Sequence, residues 1–197
     1  MATEGEVLFN MDKAQAATEL LLEAFGVPLD EHTERTASRA AKAWQHMLGG
    51  YGEDPGLHLD TTFPVDGEPG LVMVAGIEVQ STCAHHLLPI TGLATVAYRP
   101  APEGRVVGLS KLARVVEGYA RRLQVQEQLG RQVVDAIQEH LHPLGAACVI
   151  TADHGCMTMR GIRQRSTTTT TVATTGLWTA AGGTDLEQVI AQHRAVA

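Results

Sequence analysis

The chain has 197 residues, 44% of them hydrophobic and 19% charged, which is the composition of an ordinary globular protein with one main domain. Its net charge of -7 argues against binding to nucleic acid, although a local cluster of cations could still hold a small anion. The apolar runs are too short to cross a membrane, and residues 1–13 lack the basic and apolar regions of a secretory signal, so a cytoplasmic protein is expected.

The first third of the chain has helical patterns. Residues 11–25 predict a first helix and residues 32–48 a second, because apolar side chains recur there three and four positions apart. Arg39 and Lys42 fall on the polar face of the second helix. Residues 49–70 are rich in Gly, Pro and Asp and are therefore expected to form a loop.

After residue 70 the pattern changes to strands. Residues 71–80 and 92–100 are apolar and β-branched, which predicts two strands joined by the stretch STCAHHLLPI at 81–90. Two helices and two more strands follow, predicted over residues 108–123, 124–141, 145–153 and 166–176. The order β-β-α-α-β-β indicates an α+β fold.

Soft metal ligands occur at two places in this order. Cys83 and His86 lie in the connection between the first two strands, and His154 and Cys156 lie at the end of the third strand. Two thiolates and one imidazole would leave the fourth position of a tetrahedral zinc ion open, as in catalytic sites. His85 and His154 would then remain available for proton transfer. A disulfide between the two cysteines is the alternative, and a cytoplasmic setting disfavours it.

The remaining cysteine and histidines have simpler interpretations. Cys148 lies inside an apolar strand and is expected to be a core thiol. Six histidines lie in predicted helices or polar loops and are expected at the surface: His32, His46, His58, His140, His142 and His193.

A cluster of cations is associated with a predicted helix start. Ser110 occupies the expected N-cap position, Lys111 and Arg114 follow it, and Arg160 comes four residues after Cys156. A helix N-terminus with two or three cations is suited to binding phosphate. A solvated charged face is the alternative, and for Lys111 alone it is the preferred one.

The sequence QVQE at 124–127 places polar residues at the junction of two helices. Glu127 could accept hydrogen bonds from two N–H groups of a planar ligand. Its alternative role is that of an ordinary capping carboxylate.

Three stretches resemble the GTP cyclohydrolase I family: STCAHHLLPITGLATVAY, VVGLSKLARVVEGYARRLQVQEQL and HGCMTMRGIR followed by TTTTT. The similarity covers about residues 33–178. It implies the tunnelling fold, in which β-β-α-α-β-β units assemble side by side into a β-barrel around a channel. It also implies a homodecamer of two pentameric rings with active sites between subunits. Residues 1–60 would form an N-terminal helical extension and residues 61–197 the catalytic domain.

The resemblance also implies a role for each candidate residue. The zinc ligands would be Cys83, His86 and Cys156, and the proton-transfer pair His85 and His154. The substrate GTP would be held by the remaining candidates: Glu127 and the backbone around Gln126 at the guanine, Ser110 near the ribose and phosphates, Lys111, Arg114 and Arg160 at the triphosphate, and Arg39 and Lys42 reaching the phosphates of a neighbouring subunit.

The implied reaction begins with hydrolytic attack on C8 of GTP by water that zinc activates. His154, assisted by His85, would protonate N7, after which the imidazole ring opens and C8 leaves as formate. Ser110 would handle the ribose ring oxygen during an Amadori rearrangement. Ring closure would then give 7,8-dihydroneopterin triphosphate.

Three positions differ from the usual family sequence. Ala84 replaces the glutamate of Cys-Glu-His-His, Leu93 follows Gly92 where lysine is common, and Gly155 stands where a larger residue is usual. Two further hypotheses therefore stay open. One is a paralogue that opens the purine ring of GTP, or of a modified purine nucleotide, without completing the pterin. The other is a non-catalytic ring that binds a nucleotide or pterin and has a structural metal.

Overall fold

The computed structural model describes residues 9–64, 67, 69–102, 104–181 and 183–197, so the first eight residues of the segment examined for a secretory signal lie outside it. The elements in chain order are α1 (Met11–Ala24), α2 (Thr36–Met47), two 3-10 turns (Gly49–Gly52 and Pro55–Leu59), β1 (Thr62–Pro64), β2 (Val72–Cys83), β3 (Pro89–Arg99), β4 (Arg105–Val107), α3 (Leu109–Ala120), β5 (Leu123–Gln124), α4 (Gln126–Leu141), β6 (Gly145–His154), α5 (Gly155–Thr158), β7 (Thr169–Gly176), α6 (Trp178–Ala181) and α7 (Thr184–Val196).

A five-stranded sheet is the centre of the fold. Its strand order is β5-β2-β3-β6-β7, and β1 and β4 form a separate two-stranded sheet. The four long strands pair antiparallel, whereas the short β5 runs parallel to β2. The register of β2 on β3 shifts between Val74 and Ile77, where Gly76 has a φ of 76° that favours glycine. The predicted α+β class and the order of the main elements are confirmed.

Helices α3 and α4 cover one face of the sheet and form the main core with it. The helices predicted over residues 108–123 and 124–141 are present, and Leu112, Val115 and Val116 of α3 are each 0% exposed. In α4 the same holds for Val133 and Ile137. The four-residue spacing thus places one side of each helix against the β-branched face of the sheet.

Helix α7 lies on the opposite face and contacts β2, β3 and β6. A second, smaller core forms there around Trp178 and Val189. The prediction that His193 is a surface residue is wrong, because this side chain is only 2% exposed. Its ring nitrogens lie 2.9 Å from the hydroxyl oxygens of Thr95 and Thr151, and burial lowers its pKa. Helix α7 was not predicted, which is why its histidine was assigned to the surface.

Two local predictions also need correction. Helix α3 begins at Leu109 with Gly108 as its N-cap, so Ser110 is inside the helix and is not its cap. Strand β2 continues to Cys83, and the connection to β3 is therefore shorter than the predicted 81–90. The N-terminal helices fall within the predicted ranges. None of the helices in the described ranges is long and apolar enough to cross a membrane.

Candidate metal centre and active site

The candidate site lies at one edge of the central sheet. Antiparallel pairing places Thr82 opposite Pro89, and Ile90 opposite His154. The end of β2, the beginning of β3 and the end of β6 therefore meet at this edge. Parallel pairing brings Gln124 of β5 beside Cys83. The register thus brings together two parts of the sequence that are about seventy residues apart.

A tight turn follows β2 and presents the two adjacent histidines. The Cys83 N–H donates to Leu88 O at 2.8 Å, and the Leu87 N–H donates to Cys83 O at 2.9 Å. Leu87 closes this turn with a φ of 56°, a left-handed conformation that is uncommon outside glycine. His85 and His86 are both exposed on the turn, and their ring centroids are 6.2 Å apart.

Cys83, His86 and Cys156 form a group that could hold a metal ion. Their ligand atoms all lie within 4.8 Å of one another, and Cys83 Sγ is 3.9 Å from His86 Nδ1. Zinc–sulfur distances of about 2.3 Å and zinc–nitrogen distances of about 2.1 Å put the ligands of one ion roughly 4 Å apart. Two sulfurs and one imidazole nitrogen are also donors that zinc prefers. The group therefore fits zinc in both spacing and chemistry.

Gly155 is closely packed between the two halves of this group. A Cβ atom at this position would lie 3.0 Å from Pro89 Cδ and 3.2 Å from Leu88 Cβ. The start of α5 therefore packs directly against the turn that follows β2. A larger residue at this position would require Leu88 and Pro89 to move by a few tenths of an ångström.

The three cysteines are free thiols in different environments. Burial, together with the neighbouring Cys83 thiol, raises the pKa of Cys156. A cation bound between the two sulfurs would have the opposite effect on the thiol pKa and favour the thiolates. Burial raises the pKa of Cys148 to about 12, and this side chain is 0% exposed. The expected core role of Cys148 is confirmed.

Other candidate residues lie beside the metal group or at the start of α4. Arg160 Nη1 is 3.0 Å from His86 Nε2. His154 Nε2 is 2.7 Å from the side-chain oxygen of Gln126, the first residue of α4. Glu127 follows in the first turn of α4 and is exposed. The structure therefore brings the zinc-ligand candidates together with His154, Gln126 and Arg160.

The other cations lie elsewhere on the subunit. Ser110, Lys111 and Arg114 are in the first half of α3, and Arg39 and Lys42 are on α2. Within the described ranges, no hydrogen bond or ion pair joins these five residues to the metal group.

Sequence comparison identifies the family. A family model described as GTP cyclohydrolase I matches residues 14–192. The chain belongs to the GTP cyclohydrolase I family. GTP cyclohydrolase 1 of Desulforamulus reducens is 45% identical to it, over 87% of this chain and 91% of its own length. The enzyme of the same name from Brucella suis is 49% identical, over 83% of this chain and 77% of its own length. That from Carboxydothermus hydrogenoformans is 42% identical, over 91% of this chain and 93% of its own length.

The side-chain role of Gln126 was missed by the sequence interpretation, which considered only its backbone. The relevant pattern was the polar QVQE sequence at a helix junction. Gln126 is 2% exposed, and a buried amide needs hydrogen-bond partners from distant parts of the chain.

Proposed function

We propose that the protein is a zinc-dependent GTP cyclohydrolase I that converts GTP and water into formate and 7,8-dihydroneopterin triphosphate. The observation that carries the proposal is the grouping of Cys83, His86 and Cys156 within 4.8 Å, with His154 two residues from Cys156. Family membership and the names of the relatives support GTP as the substrate.

The three-donor group is proposed to bind zinc and to leave one coordination position open. When bound, zinc would supply Lewis acidity that brings the pKa of a water molecule to about 7. Cys83, His86 and Cys156 all come from one subunit. Each subunit is therefore expected to bind zinc without a contribution from its neighbours.

His154 is proposed as the main proton donor to N7 of GTP, with His85 assisting. Addition of water to C8 and protonation of N7 open the imidazole ring, and a second water then releases C8 as formate. Ser110 would assist the rearrangement of the ribose, and ring closure expels one water. The net consumption is therefore one water. Positioned acid–base groups of this kind contribute roughly 10²–10⁴-fold to a rate.

Recognition of guanine is assigned to the beginning of α4. Glu127 is exposed there, and its carboxylate can accept from the N1–H and the amino group of guanine. The backbone at Gln126 is proposed to assist, because its side chain is already engaged inside the protein.

The triphosphate is assigned to cations from two subunits. Arg160 lies beside His86 at the metal group, and Lys111 and Arg114 lie near the start of α3. Arg39 and Lys42 are exposed on α2 and would reach the phosphates bound by a neighbouring subunit. Guanidinium groups suit this task because they bind phosphate through two parallel hydrogen bonds.

The same proposal includes the assembly. The α+β subunit would adopt the tunnelling arrangement, with sheets of neighbouring subunits forming a barrel and two pentameric rings forming a homodecamer. A cytoplasmic location belongs to this proposal as well.

Incubation of the purified, zinc-loaded protein with GTP tests the function. We expect equimolar formate and a pterin that fluoresces after oxidation, and Cys156→Ala serves as the metal-deficient control. Intact GTP after incubation with zinc-loaded decamer would contradict the proposal. A formamidopyrimidine that accumulates in the mass spectrum would instead show ring opening without pterin formation.

A further inference from the structure

Gln126 makes an unusual number of side-chain hydrogen bonds for a single buried amide. Its nitrogen lies 3.0 Å from Ile150 O, 2.9 Å from Thr169 O and 3.1 Å from the Thr171 hydroxyl. Its oxygen lies 2.7 Å from Nε2 of His154. The amide therefore joins the beginning of α4 to β6, to β7 and to the proposed proton donor.

These partners determine which way the amide faces. Ile150 O and Thr169 O are backbone carbonyl oxygens, which accept hydrogen bonds and cannot donate them. The NH₂ group of Gln126 must therefore face them. The opposite orientation would place the amide oxygen against two backbone carbonyl oxygens, none of which can donate, in a site that is 2% exposed.

The orientation of the amide in turn determines the hydrogen on His154. The amide oxygen only accepts, so Nε2 of His154 must carry the hydrogen of the 2.7 Å bond. A neutral imidazole has one N–H and one lone pair, which leaves the lone pair at Nδ1. Nδ1 is then the ring atom able to take up and release a proton.

We propose that Gln126 is a positioning residue that holds His154 as the Nε2–H tautomer, so that Nδ1 exchanges the proton with the substrate. This inference rests on the role of His154 in the proposed function. In the reaction, Nδ1 would first take up a proton from the attacking water and then give it to N7, while the hydrogen on Nε2 stays in its bond to the Gln126 oxygen. Carbonyl partners fix histidines in the same way at metal sites, where their loss typically costs about 10–100-fold in activity.

Gln126→Met tests this role, because methionine has a similar length and removes the acceptor. We expect kcat to fall about 10- to 100-fold, with KM for GTP and zinc content unchanged. Thr171→Val is the matched control, because it removes one partner of the Gln126 nitrogen and leaves the bond to His154. It should retain the wild-type kcat. Unchanged kcat in Gln126→Met would overturn the inference.

The double variant Gln126→Met/His154→Ala separates positioning from a structural role. If Gln126 acts through His154, adding Gln126→Met to His154→Ala causes no further loss of kcat. If Gln126→Met lowers kcat equally in the wild type and in His154→Ala, Gln126 only stabilises the fold and the inference is wrong.

Nitrogen-15 NMR of the imidazole gives a readout that needs no substrate. The His154 signal, identified by its loss in His154→Ala, should show hydrogen on Nε2 in the wild type and lose that preference in Gln126→Met. A wild-type Nδ1–H tautomer would overturn the inference even if GTP is turned over. If the tautomer is as expected and no formate is released, the proposed function has failed and the positioning of His154 has not.

Discussion

Five side chains at one edge of the sheet are assigned to two chemical tasks, metal binding and proton transfer. If Cys83, His86 and Cys156 bind zinc, an alanine at any of these positions should remove both metal and activity. His85→Ala and His154→Ala should keep the zinc, and His154→Ala should lose roughly 10²–10⁴-fold in turnover. Metal analysis, together with formate assays, tests this division between metal ligands and proton-transfer residues. Zinc loss in His85→Ala, with zinc retained in His86→Ala, would reverse the assignment within the pair.

The cysteines should also differ in reactivity. At pH 8 a thiol with a pKa of about 12, as at Cys148, has roughly one molecule in ten thousand as the reactive thiolate. The native, metal-free protein treated with iodoacetamide should therefore be alkylated at Cys156, which is partly exposed, long before Cys148. Peptide mass spectrometry checks the order, and denatured protein, modified at all three positions, is the control. Early labelling of Cys148 in folded protein would contradict its place in the core.

At the scale of elements, close contact between β3 and β6 supports the site. A Cβ atom at Gly92 would lie 2.1 Å from Thr151 O and 2.5 Å from Ala152 Cα. Gly92→Ala must therefore push the two strands apart, two residues from the pair of Ile90 and His154. We expect a loss of about 1–3 kcal/mol in the free energy of unfolding, together with weaker zinc binding.

Thermal unfolding and zinc titration measure these two effects of Gly92→Ala. Gly52→Ala is the control, because a Cβ atom there would meet nothing within 4 Å. Equal unfolding temperatures for the two variants would show that β3 and β6 can separate without cost.

The docking of α7 gives a prediction about acid stability. Arg99 on β3 donates to both carboxylate oxygens of Asp185 in the first turn of α7, and this pairing lowers the pKa of Asp185. A lowered folded pKa means that the stabilisation is complete above the usual value of 3.8 and is lost as the pH falls through the folded value. Asp185→Asn should therefore cost on the order of 1 kcal/mol at pH 7 and progressively less below pH 4.

Unfolding temperatures of the wild type and Asp185→Asn between pH 3 and 7 measure this difference. The gap between the two proteins should shrink as the pH falls. A constant gap across this range would show that the charge of Asp185 is not what stabilises the docking of α7.

The sequence predicted elements well where periodicity was strong. The stripe of α3 and the apolar β6 were found because each buries one continuous set of side chains. Helix α7 was missed because it buries few residues, Val189 and His193 among them. The three metal-binding candidates were identifiable from residue type and spacing. Their proximity depends on the register of the strands, and the contact between Gln126 and His154 depends on the packing of α4, which local patterns do not specify.

At the scale of the whole molecule, α1 leaves an apolar surface without a partner. Within the described subunit none of the residues of α1 is buried, and its Leu20 and Leu21 are 66% and 53% exposed. Phe25, the C-cap residue that follows α1, is 73% exposed. Three large apolar side chains at the end of one helix are more than an isolated subunit would be expected to leave in water. A second copy of the chain would cover them, in agreement with the proposed decamer.

The double variant Leu21→Glu/Phe25→Glu separates assembly from metal binding. Two carboxylates on this surface should weaken the contact between subunits, so sedimentation should show smaller species than the decamer expected for the wild type. Zinc should be retained, because its three candidate ligands belong to one chain. Turnover should fall, because Arg39 and Lys42 are proposed to serve a neighbouring active site.

Lys13→Glu, on the same helix, makes the same change in net charge and should leave both assembly and turnover intact. Full turnover by dissociated subunits would show that each active site is complete within one chain.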